Sequence, residues 1–150
     1  MKKLILLLLF IPLVSFGQDE LKLFIKGKNN FEKENYDKAF TYLNNALELN
    51  PSYVDAHFYT GLLNTKLKQY DKAILNYNKV LELDLYNELA YLNRGRINYI
   101  LKNREAAQSD FKNAIEIDSK FIEAYENLVL VSQSLKAVSY THLRAHETHE

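Results

Sequence analysis

An all-α fold, a solenoid of helix–turn–helix repeats, is what this sequence predicts, and three observations predict it. First, Gly27, Gly61 and Gly95 are spaced 34 residues apart, and Ala39, Ala73 and Ala107 keep the same spacing. So do Ala46, Val80 and Ala114, and Asn50, Asp84 and Asp118. Several columns in one register over three copies mark an internal repeat built from one supersecondary element. Second, apolar residues in each unit fall at helical spacing on both sides of a short polar stretch. Third, the 150 residues hold four Gly, two Pro and no Cys. A sandwich or barrel would want more turn formers. The lack of Cys excludes a disulfide framework, a thiolate metal site and a Cys nucleophile.

The elements follow in chain order. Residues 1–17 read as an export signal. Lys2 and Lys3 precede an apolar stretch from Leu4 to Val14, which is short for a bilayer span. Ser15 and Gly17 supply small residues for cleavage before Gln18. The mature chain is then expected outside the cytoplasm, periplasmic or extracellular, with no stable membrane insertion. An uncleaved N-terminal anchor is the competing reading. No Cys follows the segment, so a lipoprotein anchor is excluded. The SFGQ junction and the Lys-, Asn- and Ile-rich usage resemble exported bacterial proteins.

The repeat domain spans residues 18–136, with units at 20–53, 54–87 and 88–121 and a partial unit at 122–136. In the second unit, Ala56, Tyr59, Leu63 and Leu67 form the stripe of the first helix, and Ala73, Tyr77, Val80 and Leu81 that of the second. The second-helix stripe recurs as Ala39, Leu43, Ala46 and Leu47, and as Ala107, Phe111, Ala114 and Ile115. Polar turns separate the helices at 34–37, 68–71 and 102–105. Asn50-Pro51-Ser52 and Asp118-Ser119 mark unit boundaries, where a short polar side chain can cap the next helix. Gly inside a helix costs roughly 1 kcal/mol relative to Ala. Three such costs at one register imply a close helix crossing, with Gly on the first helix and Ala on the second removing bulk. The last unit offers only a first helix, with Phe121, Ala124, Tyr125, Leu128, Val129 and Leu135, and Val129 takes the glycine's place.

These columns resemble the tetratricopeptide repeat family over residues 20–136. The family's first-helix glycine falls on Gly27, Gly61 and Gly95, and its second-helix alanine on Ala39, Ala73 and Ala107. Its small residue one turn before the second helix ends falls on Ala46, Val80 and Ala114. Its boundary proline survives only as Pro51, and its first-helix aromatic is replaced by Asn30, Asn64 and Asn98. The resemblance implies a concave partner-binding groove lined by Leu21, Phe24, Lys28, Phe31, Asp55, Phe58, Leu62, Thr65, Leu89, Leu92, Arg96 and Tyr99. That mixture of apolar and basic side chains suits an apolar or extended peptide. The family's clamp for acidic chaperone tails uses Lys and Asn where Phe24 and Lys28 stand, and Leu62 stands at the second such place. That ligand class is therefore disfavoured.

From Val138 to Thr148 the sequence VSYTHLRAHET leaves the repeat and resembles a translated sequencing-library adapter. Residues 137–150 are therefore expected to be a foreign tail, with the gene truncated near Lys136. His142 and His146 beside Glu147 have the spacing of a helical metal site, but they fall inside this adapter-like stretch. Outside the tail His57 is the one histidine, expected to be structural. No nucleophile–base–acid arrangement and no Gly-rich phosphate loop is present. Lys and Arg number 19 against 19 Asp and Glu, which argues against nucleic acid as a partner.

The expectation is a non-catalytic protein–protein interaction scaffold with no cofactor and no metal. Its partner is a protein or peptide whose identity the sequence does not carry. A second reading is the partner-binding N-terminal region of a longer envelope protein, with a catalytic or wall-binding domain beyond Lys136. A third is self-association through the C-terminal half-unit.

Overall fold

The computed structural model describes residues 19–147, with side chains described for residues 19–138. The expected export segment, residues 1–17, lies outside the described residues, as do the side chains of His142, His146 and Glu147. Seven helices and no strand occur among the described residues. Helix α1 covers residues 19–32, α2 Tyr36–Leu49, α3 Val54–Lys66 and α4 Tyr70–Leu83. Then follow α5 Glu88–Ile100, α6 Arg104–Ile117 and α7 Ile122–Glu147. The chain divides after Leu83 into two compact units, α1–α4 and α5–α7.

Helices α1, α3 and α5 end in the same way. Glu34, Lys68 and Lys102 have φ of 59°, 57° and 66°. Their amides donate to the carbonyls of Phe31, Thr65 and Tyr99 at 2.9, 3.0 and 3.0 Å. The next amides, of Asn35, Gln69 and Asn103, reach back to Asn30, Asn64 and Asn98 at 2.9, 2.8 and 2.8 Å. This pair of bonds is the Schellman stop, which satisfies carbonyls that the helix leaves open. Charged residues occupy the left-handed position where glycine is commoner.

The boundary turns differ from the capping expected of them. Tyr53, not Ser52, precedes α3, and it makes no side-chain cap bond. Instead Asn50 Oδ1 accepts from the Ser52 amide at 3.0 Å. Asp84 and Asp118 accept likewise from Tyr86 and Lys120, at 3.1 and 2.9 Å. These short side chains fold the turn on itself. Asn87 does cap α5, its Oδ1 accepting from the Ala90 amide at 3.0 Å.

The close crossing is real, but its partner differs from the expected alanine. A Cβ on Gly27 would lie 2.8 Å from Leu43 Cγ. On Gly61 it would meet Tyr77 Cε1 at 2.8 Å, and on Gly95 Phe111 Cε1 at 2.7 Å. Each glycine therefore receives the large side chain of the following helix. Ala39, Ala73 and Ala107 are fully buried beside that contact.

In the first unit the core gathers Phe24, Leu43, Ala46, Ala56 and Leu63 around Ala39, with Phe31 and Tyr59 packed at its edge. Leu67, expected in the α3 stripe, is 42% exposed because it is the C-cap residue. In the second unit Leu92, Phe111, Ala114, Ala124 and Val131 pack around Ala107. A polar cluster is sealed beside them. Asp110, 3% exposed, accepts from Arg94 Nη2 at 2.6 Å, Arg94 Nε at 3.1 Å and Asn98 Nδ2 at 3.1 Å. At the same register of the first repeat Lys26 lies over the Tyr42 ring, 5.7 Å from its centre.

Tyr77 is fully buried, its hydroxyl 3.4 Å from Thr65 Oγ1. Burial pushes its phenol from 10.0 up to about 12, and the Thr65 bond offsets this in part. Below pH 10 both states hold the proton, so this contribution to stability is fully present. Above pH 10 the unfolded chain ionises first, so stability falls as pH rises towards 12. The expected loss at pH 11 is about 1.4 kcal/mol. Urea unfolding at pH 8 and pH 11 checks it, with Tyr77→Phe as the reference. Equal losses in both proteins would refute the assignment.

Candidate partner-binding faces on the first helices

The groove residues expected from sequence lie on α1, α3 and α5, and the structure sorts them into three groups. Leu21, Asp55, Leu89 and Tyr99 are exposed. Lys28, Phe31, Phe58, Leu62, Thr65 and Arg96 are half-buried. Phe24 and Leu92 are 8% and 1% exposed and belong to the cores of their units. Those two assignments are corrected: both side chains are spent on packing and offer almost no surface to a partner. Leu92→Ala therefore reports on stability, not on binding. Thr65 is turned inward as well, donating to the Gly61 carbonyl at 2.8 Å.

In the first unit the face is built on an aromatic ladder. Phe24 lies 5.1 Å from Tyr53 and 5.5 Å from Tyr59 between ring centres. Phe31 meets Tyr59 edge-on at 5.8 Å, and Phe58 meets Tyr59 at 6.1 Å. Each such pair adds about 0.5–1.5 kcal/mol beyond its buried area, and together they hold the rings in place. Lys28 reaches over the Tyr59 ring, 5.6 Å from its centre, with Glu32 at 4.0 Å. Burial first, and then the charges of Asp55 and Glu20, push the Tyr53 phenol up. Acidic groups thus flank the start of α3 while Lys28 caps the ladder. Sequence reasoning placed Tyr59 in the core stripe and missed that it is the hub under Lys28.

In the second unit Arg96 on α5 is paired with Glu123 on α7. Glu123 was not among the expected site residues. It is the second residue of its unit, as Leu21, Asp55 and Leu89 are of theirs, so the repeat register could have found it. Two surface cavities lie elsewhere. One of about 410 Å³ is lined by Leu85, Tyr86, Tyr91, Asn113, Glu116 and Ile117. The other, about 420 Å³, is lined by residues 34–38 and Leu67. Neither takes in an expected groove residue.

His57 is half-buried, its Nε2 donating to the Pro51 carbonyl at 2.9 Å. Among the described residues no group of three or more His, Cys, Asp or Glu side chains could hold a metal ion. No helix among them is long and apolar enough to cross a membrane.

A family model described as tetratricopeptide repeat matches residues 23–53, 57–87 and 89–121. The chain belongs to the tetratricopeptide repeat family. Solved structures agree in fold. The first such domain of Spaghetti (RPAP3), bound to the HSP90 peptide SRMEEVD, is similar at 25% identity with a TM-score of 0.77. The match covers 79% of this chain and 94% of that one. PilF from Pseudomonas aeruginosa is similar at 26% identity and a TM-score of 0.72, covering 81% of this chain and 56% of that one. The Arabidopsis OM64 tetratricopeptide repeat domain, at 20% identity and a TM-score of 0.75, shares the fold. That match covers 78% of this chain and 97% of OM64's. No curated protein matches the chain.

Proposed function

We propose that this tetratricopeptide repeat protein is a non-catalytic interaction scaffold that holds an extended peptide segment of a partner protein. The observation that carries the reading is the first-unit face. Leu21 and Asp55 are exposed and Lys28 and Leu62 half-buried, Lys28 lies over the Tyr59 ring, and that ring is fixed by Phe24 and Phe31. A face ordered before binding loses little entropy on contact. Support comes also from similar structures that hold peptides, among them one with the HSP90 peptide SRMEEVD and yeast Sti1 with Hsp70. The ligand class proposed here differs from those acidic tails. Phe24 is buried where the family's clamp has Lys, and Lys28 stands where it has Asn. An apolar segment carrying an acidic residue for Lys28 fits better.

Selection from a displayed peptide library on the full chain tests this. Enriched peptides are expected to be apolar with an acidic residue. Leu62→Asp is expected to lower their affinity about tenfold or more while the protein stays folded by circular dichroism. Leu75→Asp, on the exposed side of α4, is expected to leave affinity alone. Full affinity in Leu62→Asp would refute the groove. We further propose that the protein works outside the cytoplasm, on the pattern of residues 1–17. N-terminal sequencing of exported material beginning at Gln18 would bear this out, and a start at Met1 would oppose it.

A further inference from the structure

Helix α7 buries one side and leaves the other open. Ala124 and Val131 are fully buried, while Ile122, Tyr125, Val129 and Leu130 are 72%, 44%, 54% and 53% exposed. The repeat register says what such a face is for. Tyr125 and Val129 correspond to His57 and Gly61 on α3 and to Tyr91 and Gly95 on α5. Those are the places where each first helix receives the next helix: His57 faces Asn76, Gly61 lies against Tyr77 and Gly95 against Phe111. The open face of α7 is therefore a helix-receiving face.

Val129 changes what it can receive. At Gly95 even a single Cβ would come within 2.7 Å of the Phe111 ring. A branched side chain at that register bars the close crossing that a repeat's own second helix makes. It leaves ordinary helix–helix packing, with axes about 8–10 Å apart.

We propose that this face takes the same face of a second copy of the chain, the two α7 helices running antiparallel. A twofold contact needs a self-complementary patch, and the charges along α7 supply one. Glu126 lies toward its N-terminal end, and Gln133 and Lys136 follow on the same side. Parallel pairing would set Glu126 against Glu126. Antiparallel pairing centred between Val129 and Leu130 sets Glu126 opposite Gln133 of the second copy and within a turn of its Lys136. Val129 then lies beside Val129 of the second copy, and Leu130 beside its Leu130, on either side of the contact line. This contact uses none of the α1 and α3 residues of the proposed peptide face, so either can fail without the other.

The lack of Cys gives a clean test on the full chain. Val129→Cys, close in size to the native residue, is expected to form a disulfide-linked dimer on mild oxidation. At ~10 µM chain it should do so about a hundredfold faster than Leu75→Cys, because docking raises the local thiol concentration to the millimolar range. Sedimentation equilibrium of the unmodified protein is expected to show a dimer, and Val129→Asp a folded monomer by circular dichroism. Equal oxidation rates for the two cysteine variants, or an unmodified protein that stays monomeric at its solubility limit, would overturn the proposal.

Discussion

Asp110→Ala is expected to lower the unfolding free energy by about 3–5 kcal/mol, the cost of removing one partner from a buried ion pair. Asp110 is 3% exposed and accepts from both Arg94 and Asn98. Its loss removes the carboxylate that the Arg94 guanidinium pairs with and the acceptor of the Asn98 amide, at a site where the Arg94 side chain is 22% exposed. The Arg94 head also stacks on Tyr91, 5.5 Å from the ring centre, which limits its escape. Replacing both partners is a different matter. Arg94→Met with Asp110→Leu is expected to recover part of the loss, because an apolar pair of similar volume needs no desolvation of charge while the Asn98 amide still lacks its acceptor. Guanidinium unfolding of the three proteins measures this. A loss below about 1 kcal/mol in Asp110→Ala would mean that the pair is not sealed as described.

Gly61→Ala and Gly95→Ala are each expected to destabilise by up to about 2 kcal/mol, against the usual direction for glycine in a helix. Helix propensity alone favours Ala by roughly 1 kcal/mol. Overpacking opposes it at about 1–3 kcal/mol. The ring wins because it has nowhere to go. Tyr77 and Phe111 are 0% and 1% exposed, and the new methyl would sit 2.8 and 2.7 Å from their Cε1 atoms. In a Phe111→Ala background, Gly95→Ala should cost less, since the ring it strikes is gone. Thermal melts of the single and double variants decide the point. A raised melting temperature in both single variants would show that the crossing is loose.

The fold was legible because the crossing demands glycine at one register and the helices demand apolar residues at another, so the period survives divergence elsewhere. Which atoms the glycines accommodate was less legible. Ala73 and Tyr77 lie one turn apart on one helix, and only three-dimensional packing shows that the ring, not the methyl, fills the gap above Gly61. The candidate groove was legible in part for a similar reason. Leu89 and Leu92 are both apolar and three residues apart on α5, yet one is 44% and the other 1% exposed. Periodicity places both on one side of the helix. Burial depends on what lies against them, and the sequence does not state that. Asn98 read as a departure from an aromatic position. Its sense came only with Asp110, which lies on the following helix, α6.

Glu34, Lys68 and Lys102 turn the chain without glycine, and their amides are tied to carbonyls at fixed distances along the helix. Such a stop tolerates exchange of side chains but not a change in count. One residue added to α3 ahead of Thr65 would rotate everything after it by about 100°, and the turn has no slack to absorb that. Divergence among copies of this repeat is thus free to act on residue identity, while insertions and deletions are channelled elsewhere. The reading frame of the architecture is kept by three backbone hinges, whose side chains remain open to change.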